Sequence, residues 1–394
     1  MGNCYSDPSD GLDIDNLDCE MSDMLKRKMN SINFKNDVKV RTNQEILSGY
    51  NIIKPLGSGL FSKVYLATDQ NGKKFAVKIV KKQDFQVSET IQKIILEKEI
   101  LKLVEHPNIL KLYRSVQSDS RIYFFLEYAS KGNILQLLNI KGRLDANEVR
   151  VVSAQIIEAI LYIHSKGIIY GDLKAENVLI ASNGLIKLCD FNLSGTKSIL
   201  SDKMQGTICY ISPEIIEGKK RTRMSDFWAL GVLVHLMFYR RYPFRFNNQT
   251  DLFYNIINCN IEPEKNEVKA PSSLRRFIGD LLCREVNKRL GKSLDDFINH
   301  PFFAGFNWNG YKRDPESFKF AEKIPESENV DSKSDSKTNS DIDDFINIKM
   351  TPTTRPIYNI EGFTYDSGAK DLMGNSEHKV STKEDLETSE ANTT

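Results

Sequence analysis

The sequence predicts an α+β chain of two lobes, a small β-rich lobe followed by a larger, mainly helical one. Three observations carry this. Residues 50–128 alternate short β-type runs ("YNIIKPLG", "KVYLATD", "KKFAVKIV", "IYFFLEY") with turn signals such as Asp69-Gln70-Asn71-Gly72. One helical stretch, 88–104, interrupts them. Residues 133–303 are then mostly helix-periodic, as in "NEVRVVSAQIIEAILYIHSKG" and "DFWALGVLVHLMF", with polar loops between. The resulting division is a leader at 1–49, a first lobe at 50–128, a second at 129–303, an extension at 304–367 and a polar tail at 368–394 expected to be disordered.

In the leader, Met1-Gly2-Asn3-Cys4-Tyr5-Ser6 fits Gly-x-x-x-Ser, the pattern read by N-myristoyl transfer onto Gly2. A single such chain holds a membrane only marginally, so a second signal is needed. Asp7, Asp10, Asp13, Asp15, Asp18, Glu20 and Asp23 all precede the first lysine, Lys26, so that signal is not polybasic. Cys4 remains as the candidate palmitoylation site. The expectation is a cytoplasmic protein held partly at the cytoplasmic face of a membrane by its acylated N-terminus. From Ser22, the residues Met24, Leu25, Met29 and Ile32 recur at helical spacing. This predicts an amphipathic helix of about 11 residues, too short to gain much alone and therefore packed on the main domain.

Composition excludes several classes. The 394 residues are 40% apolar and 27% charged with a formal net charge of +1, which suits a globular protein and gives no electrostatic case for nucleic acid. The basic clusters Lys26-Arg27-Lys28 and Lys219-Lys220-Arg221 read as solvated faces. Cys4, Cys19, Cys189, Cys209, Cys259 and Cys283 form no Cys-x-x-Cys pair, so free thiols in a reducing compartment are expected. No run of about 18 apolar residues exists, so membrane contact would be through an anchor.

The first lobe holds Gly57-Ser58-Gly59-Leu60-Phe61-Ser62-Lys63-Val64 between two predicted strands, where glycines let backbone N–H groups close over phosphates. Alone, a glycine hairpin that merely turns explains it as well. The reading strengthens with Lys78 in "AVKI" on a following strand and Glu97, nineteen residues later, on the single helix. A lysine and a helix glutamate form an ion pair that aims an ammonium at α/β-phosphates. In the second lobe follow "YGDLKAEN" (170–177), "DFN" (190–192) and "SPE" (212–214).

Along 50–303 these ordered elements resemble the protein kinase family. The resemblance implies the bilobal protein kinase fold, ATP and Mg²⁺ as cofactors and protein substrates. It gives Asp172 the substrate hydroxyl, Lys174 the transferred phosphate, Asn177 the second Mg²⁺, and Asp190 the Mg²⁺ bridging β- and γ-phosphates. Val64, Ala76 and Leu179 would sandwich adenine, with hinge groups from Glu127 and Ala129. Leu101, Leu112, Tyr170 and Phe191 would stack between the lobes, Asp226 would cap donors below the catalytic loop, and Glu214 would pair with Arg289.

Lys174 in "DLKAEN" and Thr207 in "GTICYISPE" resemble the serine/threonine class. "DIDDF" (341–345), "MTP" (350–352) and "IEGFTY" (360–365) resemble the tail of the AGC group, to which the cyclic-nucleotide-dependent kinases belong. There the tail wraps the small lobe. An apolar pair, Ile360 and Phe363, fills a pocket by the Lys78/Glu97 helix, and phosphorylation of Thr364 strengthens docking. Thr351 would be a second tail phosphosite, making an upstream kinase a partner of a monomeric catalytic chain. Ile360 and Ile342 depart from phenylalanines usual there. Glu176 matches an acid that binds basic residues before the target, whereas Asn133 and Leu236 replace two others.

Two departures stand in the catalytic segment. Gly171 replaces an arginine that pairs with an activation-loop phosphate, and Lys203, three residues before Gly206, replaces the phosphorylated threonine. A core independent of activation-loop phosphorylation is therefore expected. Asn192 replaces a glycine, with an expected cost of about 1 kcal/mol if it adopts φ > 0. The alternative is a membrane-anchored pseudokinase scaffold, against which Lys78, Asp172, Asn177 and Asp190 stand.

Overall fold

A six-stranded antiparallel sheet forms one wall of the molecule, and a bundle of helices the other. The computed structural model describes residues 14–30, 34–35, 41–59, 62–82, 88–200, 205–261, 269–308, 359–360 and 363–367. Gly2, Cys4, Ile32, Lys203, Ile342 and Thr351 lie outside the described residues.

In chain order the first elements are α1 (Ile14–Asn30), β1 (Phe34–Lys35), α2 (Asn43–Leu47), β2 (Tyr50–Ser58), β3 (Ser62–Asp69), β4 (Lys74–Lys81), α3 (Ser88–Leu103), β5 (Leu112–Gln117) and β6 (Arg121–Glu127). The helical lobe then contributes α4 (Ile134–Lys141), α5 (Ala146–Ser165), β7 (Val178–Ile180), β8 (Ile186–Leu188), α6 (Pro213–Ile216), α7 (Arg223–Tyr239), α8 (Gln249–Ile257), α9 (Ser272–Leu281) and α10 (Leu294–Ile298). Two short tail strands, β9 (Asn359–Ile360) and β10 (Tyr365–Asp366), complete it.

The sheet order is β10-β5-β6-β4-β3-β2. Its β3–β4 hairpin turns where the sequence signals, because Asp69 Oδ1 accepts from the N–H groups of Asn71 and Lys73, both at 2.9 Å, and Gly72 takes φ 79°. The alternation within β4 carries Lys78 and Ala76 to one face of the sheet, against α3, and Phe75, Val77 and Ile79 to the other, against α2.

α3 is buried from Ile94 to Leu101 without a polar stripe. Such a helix must be covered all round, and here the sheet lies on one side while α1 and the tail pack on the others. α1 corrects the expectation of a helix starting at Ser22. It spans 17 residues from Ile14, and Arg27 and Lys28 in its last turn suit the helix dipole. Leu25 is fully buried, with Met21, Met24 and Met29 beside it.

β5 carries no strand signal of its own in the sequence. "LYRSVQ" lacks the apolar alternation of an ordinary strand, yet it is paired on both edges, with β6 and β10. Its polar residues bind the tail: Ser115 Oγ donates to the Phe363 carbonyl at 3.2 Å, Ile360 N donates to Gln117 Oε1 at 3.0 Å, and Gln117 Nε2 donates to the Ile360 carbonyl.

In the second lobe, α5 opens with a capping box, Asp145 with Glu148, and α7 is buried along almost its whole length. Among the described residues, no helix is long and apolar enough to cross a membrane. The Lys219-Lys220-Arg221 run is only partly a solvated face: both lysines are exposed, but Arg221 is half-buried.

Candidate active site

The cleft between sheet and helices collects the chemistry-bearing residues from both lobes. β4 presents Lys78 to Glu97 of α3, and Lys78 Nζ donates to both Glu97 carboxylate oxygens at 2.6 and 2.9 Å. The same ammonium lies 3.7 Å from Asp190 Oδ1 and donates to Asn192 Oδ1 at 3.4 Å. Burial alone would favour neutral lysine. The carboxylates of Glu97 and Asp190 outweigh it and hold Lys78 above the ordinary lysine range.

Opposite stands the loop before β7. Asp172 Oδ2 accepts from Lys174 Nζ at 2.8 Å and from Asn177 Nδ2 at 2.9 Å, and Asn177 Nδ2 also donates to the Asp172 carbonyl at 2.9 Å. Burial pushes the Asp172 carboxyl above the usual carboxylate range despite the bond from Lys174. The loop itself is pinned from below: the N–H groups of Tyr170 and Gly171 donate to the two oxygens of Asp226 at 2.9 and 2.8 Å, and His164 Nε2 is 2.8 Å from the same carboxylate. Asp226 thus caps the donors the sequence assigned to it. His164 was missed, because a histidine at the end of a helix has no distinguishing spacing.

Asp190 follows the buried strand β8, and its φ of 60° is strained for a non-glycine residue. Its Oδ1 is buried and accepts no hydrogen bond. The amide nitrogen of Asn177 is committed to Asp172, which leaves its Oδ1 as the second hard oxygen. One carboxylate and one amide oxygen suit Mg²⁺, which keeps waters and phosphate oxygens for its remaining positions. Asn192 is not among the residues with positive φ. The strain expected there falls on Asp190 instead, and the Asn192 side chain is used as an acceptor for Lys78.

The walls of the cleft are apolar and partly open. Val64 and Leu179 are half-buried and Ala76 is nearly buried. At the hinge, Glu127 N donates to the Lys111 carbonyl at 2.9 Å, and its carboxylate takes Lys187 Nζ at 2.8 Å; Ala129 follows half-buried. A Cβ at Gly57 would meet nothing within 4 Å, and Gly59 N donates to the Ser62 carbonyl at 2.8 Å, closing the turn beside Ser58. Leu101, Leu112, Tyr170 and Phe191 are all buried, with the Tyr170 and Phe191 rings 5.2 Å apart.

Thr207 and Asp172 line one crevice together with Gly206. Glu176 Oε2 is buried with no hydrogen-bond partner, whereas Asn133 caps α4 and Leu236 is core. Glu214 and Arg289 form a two-pronged buried pair at 2.8 and 2.9 Å. Thr364 is exposed beside buried Phe363 and Ile360, and Lys98 lies 4.7 Å from the Phe363 ring centre. Ser22, on α1, bonds Thr196 and Ser198 of the segment after "DFN", both at 2.6 Å. No sequence signal marked that contact.

A family model described as the protein kinase domain matches residues 50–303. The chain is similar to 3-phosphoinositide-dependent protein kinase 1 from Homo sapiens, 34% identical over 65% of this chain and 47% of the relative. It is also similar to the RAC serine/threonine-protein kinase of Drosophila melanogaster, 30% identical over 81% of this chain and 53% of the relative. Protein kinase 3 of Dictyostelium discoideum matches at 30% over 76% and 34%. The chain spans about half the length of the curated relatives it matches. It belongs to the protein kinase family, as a serine/threonine-type member of the AGC group.

Proposed function

We propose that this chain is an ATP- and Mg²⁺-dependent protein serine/threonine kinase, and that its core works without phosphate on the activation segment. One observation carries the reading: the formed Lys78–Glu97 pair faces Asp190, whose buried Oδ1 has no hydrogen-bond partner, across from the linked Asp172, Lys174 and Asn177. In this reading Lys78 orients the nucleotide phosphates, and the glycine turn at Gly57–Gly59 covers them. Asp190 and Asn177 would hold Mg²⁺, which would supply positive charge to the phosphate oxygens. Asp172 accepts or orients the proton of the Ser/Thr hydroxyl, and Lys174 faces the transferred group. Such catalysis rests on positioning and fixed charge rather than a covalent intermediate. Glu176 offers one site for a basic residue of the substrate.

Acylation of Gly2 with palmitoylation of Cys4, and phosphorylation of Thr351 and Thr364 by an upstream kinase, complete the proposal. The first rests on the Gly-x-x-x-Ser pattern. Support for Thr364 is its exposed place beside docked Phe363. A phosphotransfer assay on an arginine-containing serine peptide, with Asp190→Ala as control, tests the enzyme reading. Activity that falls by at least about 100-fold in the control supports it. Equal signal from both proteins, or none from either, would leave the scaffold.

A further inference from the structure

The loop between α6 and α7 places Arg221 against the catalytic loop. Its guanidinium donates through Nη1 to the Gly171 carbonyl and through Nη2 to the Gln205 carbonyl at 2.8 Å. Residue 171 is therefore held on both sides, its N–H by Asp226 and its carbonyl by Arg221, directly before Asp172. Gln205 belongs to the activation segment, two residues before Thr207, and lines the same crevice as Asp172. One side chain thus ties the catalytic loop to the activation segment.

Gly171 is matched to this arrangement. It sits at φ 82°, and a Cβ there would lie 2.5 Å from the Leu193 carbonyl oxygen and 2.8 Å from Arg221 Nη1. A side chain at 171 would be strained at this φ and would collide with the Leu193 backbone, and Arg221 would have to shift from its present place to admit it. We infer that Arg221 is a positioning residue that replaces, from the opposite side, the arginine missing at 171, and that it clamps the catalytic loop to the activation segment through two carbonyls without any phosphate. A planar fork can reach both carbonyls at once, whereas an ammonium is a point donor. The inference rests on the reading of the site as a phosphate-independent kinase.

The test uses the full chain with Arg221→Ala and Arg221→Lys, each checked by thermal denaturation and for nucleotide affinity. Loss of two charge-assisted bonds is expected to lower kcat by about 10- to 100-fold in Arg221→Ala, with KM for ATP little changed. Millimolar methylguanidinium should restore part of kcat and methylammonium should not; Arg221→Lys should fall between the two. Unchanged kcat in Arg221→Ala would overturn the clamp. So would a loss that neither additive relieves and that is matched by a lower melting temperature in both variants. Should the native chain prove inactive, the enzyme reading fails by itself. Hydrogen exchange then decides the clamp, because the paired amides of Ile169 and Gly195 and that of Tyr210 should exchange faster in Arg221→Ala. Identical exchange would contradict it.

Discussion

At the scale of single residues, the site combines groups whose charges are kept by neighbours against burial. Lys78 stays charged because Glu97 and Asp190 surround it. Asp172 is different, since burial prevails and raises its pKa. A carboxyl whose folded pKa lies above its unfolded value binds its proton more tightly in the fold. It therefore begins to cost stability as pH rises past the unfolded pKa, and the cost is complete above the folded one. Asp172→Asn should accordingly abolish phosphotransfer while leaving the melting temperature at pH 7 equal or higher. Clear destabilisation by that substitution would show a structural rather than a functional carboxylate. The acidic limb of the native pH–rate profile should correspondingly lie above the ordinary carboxylate range. These residues were legible because phosphoryl transfer restricts residue type and order: Lys78, Glu97, Asp172, Asn177 and Asp190 converge as the motifs suggest. Conformation was less legible. The positive φ expected at Asn192 is found at Asp190, since a residue type permits a backbone conformation without requiring it.

Among the elements, α3 integrates the molecule, since it bears Glu97 and touches the sheet, α1 and the tail. Ser22 of α1 joins Thr196 and Ser198, and the tail adds β10 to the sheet edge while burying Ile360 and Phe363 by α3. Phe363 meets Phe124 edge-to-face at 6.0 Å, and Lys78 lies 5.9 Å from the centre of that Phe124 ring. Tail docking is thus one aromatic contact away from the ion pair. Phe363→Ala should lower kcat/KM by roughly 5- to 100-fold, the usual range for coupling between sites. A peptide spanning 357–367 should restore part of it. Full activity in the variant would show that the tail is only a passive cover. Helices α3, α5 and α7 and four strands of the core could be read from periodicity. β5 and the first turns of α1 could not: β5 owes its polar residues to the tail, and α1 runs back to Ile14 into the acidic leader.

At the scale of the whole molecule, the residues proposed to carry phosphotransfer meet in one cleft, beside a catalytic loop with Gly171 where an arginine is usual. The catalytic loop is braced by Asp226 from below and by Arg221 toward the activation segment, while α1 and the tail cover α3. Bilobal architecture was legible in the change from period-two to helical patterning at about residue 130. The brace was not, because a basic run in a polar loop looks like solvated surface until the fold turns one member inward. The most direct measurement is the steady-state rate of the full chain on a serine peptide before and after exhaustive phosphatase treatment, with mass spectrometry confirming that residues 194–207 carry no phosphate. The account predicts substantial activity in the unphosphorylated protein, abolished by Asp190→Ala. Activity that appears only when phosphate is present within 194–207 would contradict it.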